Sequence, residues 1–158
     1  MASPPEIHVI AGALSDTEGR VLIAQRPRGR HMAGRWEFPG GKLDLGEDPY
    51  DGLTRELAEE LGVVVREARP LIRLRHDYPD RRVLLDVWQV TAYDGEPKSL
   101  ESQALAWARP DELPAHDLLA LFDQIDLNRV SVSMTINAPA IVIMAFYLAA
   151  ARARGFDW

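Results

Sequence analysis

Short apolar runs separated by polar clusters make up most of this chain. Apolar runs that are rich in β-formers occupy residues 7–14 and 21–24, and the cluster between them, 15–19, contains turn-forming residues. Two such runs around a turn predict an opening β-hairpin. The same pattern predicts strands at 63–66, 71–76, 83–91, 104–108 and 130–136, with turns at 78–80 and 93–95.

One helix has the clearest pattern in the chain. Leu53, Leu57 and Leu61 recur every four residues, which places them on one helical face. Pro49 suits the first turn of a helix, and Gly62 suits the position that ends one. Shorter patterns predict helices at 115–125 and 139–154 and a loop at 27–35. The mixture indicates an α+β fold with several antiparallel strands.

Composition and charge exclude several functional classes. A chain of 158 residues fits one domain, and the absence of cysteine excludes disulfides, thiolate nucleophiles and iron-sulfur clusters. A net charge of -6 argues against a protein that binds nucleic-acid polymers or anionic membranes by bulk attraction. The N-terminus has no targeting pattern, and polar residues interrupt the uncharged stretch 130–151. We therefore expect a cytoplasmic protein without a membrane partner.

A group of carboxylates lies beside the leucine stripe. Glu56, Glu59 and Glu60 stand at i, i+3 and i+4, so they project from one side of the helix, and Glu47 precedes the helix closely enough to reach them. Ligands that are all oxygen suit Mg²⁺ or Mn²⁺. The helix alone favours a solvated acidic surface over a metal site.

The spacing of these residues carries a family resemblance. Gly41, Glu47 and the run 55–63 fit Gly-x5-Glu-x7-Arg-Glu-U-x-Glu-Glu-x-Gly-U, where U is aliphatic. This is the Nudix box, and with residues 36–42 and 78–81 the chain resembles the MutT branch of the Nudix hydrolases over about residues 6–118. The resemblance implies a Nudix domain at 1–120, folded as an α/β/α sandwich around a mixed β-sheet. It also implies Mg²⁺-dependent hydrolysis of a nucleoside triphosphate to the monophosphate and pyrophosphate.

The resemblance also assigns roles to residues. Glu56 would bind metal and activate water, Arg55 would orient its carboxylate, and Glu101 would be a further metal-binding or basic carboxylate, although a solvated loop acid fits Glu101 equally well. Phe38 taken alone favours core packing. The implied metal ligands are Gly40, Glu47, Glu56, Glu59 and Glu60, and the implied contacts to the oxidised purine nucleotide 8-oxo-dGTP are Arg26, His31, Glu37, Phe38, Pro39, Gly40 and Arg81.

One departure concerns recognition of the base. The family usually places an Asn or Asp followed by Pro before its last helix, whereas here Asp117 is the nearest candidate and no proline follows it. A broader dNTP or CTP pyrophosphohydrolase therefore stays open. A non-catalytic nucleotide-binding module impaired by its altered C-terminus is a further alternative, although the complete carboxylate set favours an enzyme.

The C-terminal segment, 121–158, has a different resemblance. Residues 121–140 are similar to a segment in the barrel domain of methylmalonyl-CoA mutases. One strand and one helix cannot close a barrel, so no mutase activity is inferred. Either Asn137 caps a helix that replaces the usual terminal helix and packs on the sheet, or the strand and apolar helix stay partly exposed and form a homodimer.

Overall fold

Two β-sheets and one helix form the part of the chain that the structure describes. The structure is a computed structural model, which describes residues 5–29, 33–77, 81–109 and 131–134. In chain order its elements are β1 (Glu6–Leu14), β2 (Val21–Gln25), β3 (Trp36–Glu37), β4 (Gly40–Lys42), α1 (Pro49–Leu61), β5 (Val64–Asp77), β6 (Arg82–Asp94), β7 (Leu105–Ala108) and β8 (Ser131–Met134).

The larger sheet is mixed and has the strand order β4-β1-β6-β5-β8. β1 and β6 run parallel in register from Glu6 opposite Arg82 to Leu14 opposite Val90, and the other pairs are antiparallel. The smaller sheet has the order β3-β2-β7. A mixed sheet with α1 packed on one face confirms the predicted α+β class. The predicted helices 115–125 and 139–154, which would complete a sandwich, lie outside the described residues.

The predicted opening hairpin is wrong. β1 and β2 belong to different sheets, and the bridge that joins them is the isolated pair Ser15 and Val21. β6 pairs along the whole of one edge of β1, and β4 occupies residues 9–11 of the other edge, so β2 cannot pair with that part of β1. The connecting turn is closed locally, because Asp16 Oδ1 accepts hydrogen bonds from Glu18 N (2.9 Å) and Arg20 N (2.8 Å). β2 then pairs with β3 and β7.

The two strands predicted at 63–66 and 71–76 form one strand, β5. Pro70 lies between the two predicted ranges, and proline cannot donate to a β-ladder. In the structure Pro70 lies opposite Trp88, and the register shifts around Glu67 and between Pro70 and Ile72. These irregularities accommodate the proline, so that pairing with β6 continues on both sides of it.

α1 has the predicted bounds, and the main core lies between it and the larger sheet. Asp48 caps its first turn by accepting a hydrogen bond from Tyr50 N, and Gly62 ends it in the left-handed region at φ 69°. Leu53, Leu57 and Leu61 are fully buried. They pack in one cluster with side chains of β1, β2, β5 and β6, namely Ile10, Leu14, Leu22, Val65 and Val90, together with Val63.

Part of the C-terminal segment adds a strand to the larger sheet. β8 pairs antiparallel with residues 72–75 of β5, from Met134 opposite Ile72 to Ser131 opposite Arg75. This confirms a strand within the predicted range 130–136. The predicted turn 78–80 lies outside the described residues. In the described ranges no helix combines the length and apolar character needed to cross a membrane.

Candidate active site

The packing of α1 determines where its carboxylates point. The leucine face is fixed against the sheet, so the adjacent helical face is directed toward the neighbouring strand β4. Glu56 and Glu60 lie on this face and line a cleft together with Gly40 and Gly41. Glu59 is more exposed, with 60% of its side chain open to solvent, and does not line the cleft.

Two glycines allow β4 to approach the carboxylates directly. Gly40 N donates a hydrogen bond to Glu60 Oε2 at 3.0 Å. A Cβ atom on Gly40 would lie 2.1 Å from the carbonyl oxygen of Ile10, and one on Gly41 would lie 2.3–2.5 Å from the carboxyl group of Glu56. Any side chain at either position would therefore displace the strand or the carboxylate.

Arg55 joins the loop before the helix to the helix itself. Its Nε and Nη2 donate to the two oxygens of Glu47 at 2.8 Å each, and its Nη1 donates to Glu56 Oε1 at 2.8 Å. Nη2 also donates to the carbonyl oxygen of Lys42 at 3.1 Å, and Glu59 Oε2 lies 3.5 Å from Nη1. The bidentate pair fixes the guanidinium plane, so Arg55 holds the Glu56 carboxylate in one orientation.

This pairing stabilises the ionised form of Glu47. Hydrogen bonds from Arg55 and from the backbone N–H of Asp44 lower the pKa of Glu47 to about 2. The same carboxylates raise the pKa of Arg55 above its ordinary value. Both groups are therefore charged at neutral pH.

Glu60 has the opposite electrostatic environment. Burial raises its pKa to about 7, and the charges of Glu101, Glu56 and Glu37 add to this effect, while the hydrogen bond from Gly40 opposes it. A partly buried carboxylate that faces other carboxylates is stabilised as an anion when a cation lies between them.

The cleft lies between the two sheets and has a volume of about 740 Å³. That volume is within the range of small-molecule sites. Its wall on the larger sheet is apolar, whereas Glu56, Glu60 and Glu101 line its polar end. The apolar wall is formed by Val9, Ala11, Val83 and Leu85, and the smaller sheet and the chain beside it contribute Ala24, Gln25, Arg26, Pro27, Glu37, Phe38 and Pro39.

Two known protein families match residue ranges of this chain. The NUDIX domain family matches residues 10–125, which is most of the chain. The chain belongs to the Nudix family. A second family, methylmalonyl-CoA mutase, matches residues 114–158, so the two matches overlap in the region that precedes β8.

Individual Nudix relatives indicate the MutT-like branch. An 8-oxo-dGTP diphosphatase from Proteus vulgaris is 44% identical over 96 residues, which cover 61% of this chain and 86% of that protein. A CTP pyrophosphohydrolase from Escherichia coli (strain K12) is 37% identical over 106 residues, covering 67% and 78%. The crystal structure of a MutT NUDIX hydrolase from Burkholderia pseudomallei aligns with a TM-score of 0.63 and 30% identity over 73% of this chain and 95% of that one. The expected MutT-like Nudix enzyme is thereby confirmed.

Nudix hydrolases generally use a divalent metal, and the donor set of this cleft fits one. Glu56, Glu60 and the carbonyl group of Gly40 supply oxygen donors only, as hard cations prefer. Among the described residues, no three acidic or histidine side chains already converge as a ready-made ligand set. Arg55 contributes to this lack of convergence, because Glu47 and Glu56 are both paired with its guanidinium.

The structure brings most of the predicted nucleotide contacts to the cleft, with exceptions. Arg26 and Glu37 line it and form an ion pair, with Arg26 Nε donating to Glu37 Oε2 at 2.6 Å. Phe38 is half-buried and lines the cleft wall, and its core packing stays a prediction. Arg81 is exposed and does not line the cleft. His31 and Asp117 lie outside the described residues.

Several residues of the cleft were not predicted from the sequence. Val83 and Leu85 form part of its wall, and Gln103 lines it beside Glu101. A signal for this wall exists in the sequence, because residues 83–85 are apolar at consecutive positions, which indicates a strand covered on both faces. Gln103 had no comparable signal.

Proposed function

We propose that this Nudix hydrolase converts 8-oxo-dGTP and water to the nucleoside monophosphate and pyrophosphate with Mg²⁺, and so removes an oxidised nucleotide from the cytoplasmic pool. One observation carries the proposal. The cleft combines an apolar wall, suited to a nucleobase, with a polar end that Glu56, Glu60 and Glu101 line. Several MutT-like relatives that are named 8-oxo-dGTP diphosphatase support this choice of substrate.

In this proposal the carboxylate end of the cleft holds the metal. Glu56, Glu60 and the Gly40 carbonyl are the proposed ligands in the cleft, and Glu59 on the exposed side of the helix and Glu47 in the loop before it complete the proposed set. A bound Mg²⁺ (or Mn²⁺) would neutralise polyphosphate charge and favour attack by water. Gly40 N and Arg55 hold the Glu60 and Glu56 carboxylates in place through the hydrogen bonds described above.

Glu56 is also the proposed acceptor of the proton. The water oxygen bonds to phosphorus, the bond from phosphorus to the pyrophosphate oxygen breaks, and the water proton passes to a carboxylate. Glu101, which lines the same end of the cleft, is the second proposed base. Arg55 contributes indirectly, since its charge keeps the Glu56 carboxylate oriented while Glu47 anchors the guanidinium.

The rest of the cleft is proposed to bind the nucleoside and the outer phosphates. Glu37, Phe38, Pro39 and Gly40 form the side of the cleft next to the base, and Arg26 contributes a charged donor that Glu37 already orients. His31, Arg81 and Asp117 are assigned to substrate only by the resemblance. These three positions are therefore the first to test by substitution once the preferred nucleotide is known.

A pyrophosphate-release assay over a panel of nucleotides tests the proposal. We expect turnover of 8-oxo-dGTP that requires Mg²⁺, a higher kcat/KM for 8-oxo-dGTP than for dGTP or CTP, and loss of most turnover in Glu56→Gln. Glu18→Gln, at an exposed turn that does not line the cleft, is the matched carboxylate control. Near-normal turnover by Glu56→Gln would contradict the assignment of that residue.

A second candidate is a broader dNTP or CTP pyrophosphohydrolase. The relative from Escherichia coli that is named CTP pyrophosphohydrolase favours it. Equal kcat/KM values for 8-oxo-dGTP and dGTP would support this candidate and reject the role in removing oxidised nucleotides. Nucleotide binding without any turnover, by contrast, would identify a non-catalytic binding module.

The role of the C-terminal segment is also a proposal. Residues 1–120 would form the catalytic domain, and 121–158 would replace the usual terminal helix. Pairing of β8 with β5 supports this arrangement, since it attaches the segment to the main sheet. Self-association through the remaining residues would give a homodimer. Size-exclusion chromatography with light scattering that detects only monomer at high concentration would contradict the homodimer.

A further inference from the structure

The loop between β6 and β7 is attached to the C-terminal turn of α1. Lys98 N donates to the carbonyl oxygen of Leu61, and Leu100 N donates to that of Glu60, each at 3.0 Å. The last carbonyl groups of a helix have no partners within the helix. The loop therefore donates hydrogen bonds to the last carbonyl groups of the helix that carries Glu60. The position of the loop in turn depends on that helix.

Gln103 is buried beneath this loop and binds both sides of it. Only 7% of the residue is exposed. Its Oε1 accepts hydrogen bonds from Ser99 Oγ at 2.9 Å and from Glu101 N at 3.0 Å, and its Nε2 donates to the carbonyl oxygen of Glu60 at 3.3 Å. One amide group thus connects the backbone of Glu101 to the backbone of Glu60.

The backbone between Glu101 and Gln103 adopts a conformation that needs this support. Ser102 has φ 62°, and among the described residues it is the one non-glycine residue with positive φ. Residues with a side chain adopt this region at a cost in free energy. The hydrogen bonds that Gln103 Oε1 accepts from Ser99 Oγ and Glu101 N offset that cost. Glu101 is therefore exposed yet lies on a defined backbone.

We infer that Gln103 is a positioning residue, which holds the Glu101 carboxylate opposite Glu60 at the metal-binding end of the cleft. The inference rests on the proposed function, because it assumes that Glu101 serves the metal or the attacking water. An amide is suited to this task, since a single side chain must accept from one N–H and donate to one carbonyl at once. Neither Leu nor Glu can do both.

Metal binding without nucleotide is the first measurement. Binding of Mn²⁺ to the substrate-free full chain, followed by electron paramagnetic resonance, is compared for wild type, Gln103→Leu and Gln89→Leu. Gln89 is the matched control, because it is buried and accepts a hydrogen bond from Arg69 Nε (3.1 Å) but does not line the cleft. We expect Mn²⁺ affinity to fall about 10- to 100-fold in Gln103→Leu, as is typical when support for a metal ligand is lost, and to stay within about twofold in Gln89→Leu.

Kinetics and a double variant test whether Gln103 acts through Glu101. In Gln103→Leu we expect kcat to fall while KM for the nucleotide changes less than about threefold. Glu101→Gln should show a comparable loss, and the double variant should be no worse than Glu101→Gln alone. Additive losses, or a Glu101→Gln variant that behaves like wild type, would overturn the inference.

Two further comparisons keep the test decisive. If Gln103→Leu fails to fold by circular dichroism, Gln103→Asn replaces it, because the shorter amide cannot reach from Glu60 O to Glu101 N and should weaken Mn²⁺ binding in the same direction. Unchanged Mn²⁺ affinity in a folded variant would refute the role of Gln103 and leave the proposed function standing. Absence of Mn²⁺ binding and of turnover in wild type would instead refute the proposed function.

Discussion

Replacing Glu60 by Gln should change how the stability of the metal-free protein depends on pH. Glutamine removes the charge but keeps an oxygen that can accept the hydrogen bond from Gly40 N. In the wild type, burial and the neighbouring carboxylates raise the pKa of Glu60 from 4.5 to about 7. The folded state therefore binds this proton more tightly than the unfolded state, so the stabilising contribution is complete below pH 4.5 and is lost as the pH rises through 7.

The size of the effect follows from the two pKa values. Each pH unit between them corresponds to about 1.4 kcal/mol, so the full difference is on the order of 3 kcal/mol. Glu60 lines an open cleft, and solvent there screens part of its interaction with Glu56 and Glu101. We therefore expect metal-free Glu60→Gln to gain about 1–2 kcal/mol relative to wild type between pH 5 and pH 8.

Urea unfolding in the presence of a chelator measures this difference. Wild type, Glu60→Gln and the exposed control Glu18→Gln are compared at pH 5, 6, 7 and 8. Mg²⁺ added at pH 8 should restore stability to the wild type, by about 2.7 kcal/mol at a hundredfold excess over its dissociation constant, and should have a smaller effect on Glu60→Gln. Parallel pH profiles for wild type and Glu60→Gln would refute the reasoning.

Three other substitutions test packing, close approach and orientation. Leu57→Ala, in the fully buried stripe of α1, should lower the free energy of unfolding by about 2–5 kcal/mol in urea, and a loss under 1 kcal/mol would contradict the described core. Gly41→Ala should lower kcat at least about tenfold while circular dichroism stays native, because the new Cβ would overlap the Glu56 carboxyl group; normal kcat would show that β4 can move without consequence. Arg55→Lys cannot form the bidentate pair with Glu47, so kcat should fall about 10- to 100-fold with little change in thermal midpoint, and full activity in the pyrophosphate assay would argue against orientation by Arg55.

Local signals predicted α1 correctly. Pro49, the leucine stripe and Gly62 each act within a few residues, and the structure has the helix from Pro49 to Leu61 with Gly62 at its end. The carboxylates could be placed on one face for the same reason. The close contacts of the β4 glycines with Ile10, Glu56 and Glu60 depend instead on how a distant strand meets the helix.

Pairing between distant segments could not be predicted in the same way. The hairpin pattern at 7–24 is locally reasonable, but β1 gives its edges to β4 and β6, which the turn sequence does not encode. The site shows the same limit. Gln103 is polar, is not in the Nudix box, and becomes important only because the fold brings it to the backbone carbonyl of Glu60.

The parallel pairing of β1 with β6 has a consequence for synthesis of the chain. β1 precedes its long partner β6 in the chain, and β6 begins only at Arg82. At ribosomal rates the apolar strand waits on the order of several seconds before that partner exists. During this interval β4 and α1 can cover one edge and one face of β1, but the edge that belongs to β6 stays unpaired, so we expect this strand to be an early point of aggregation when expression is fast.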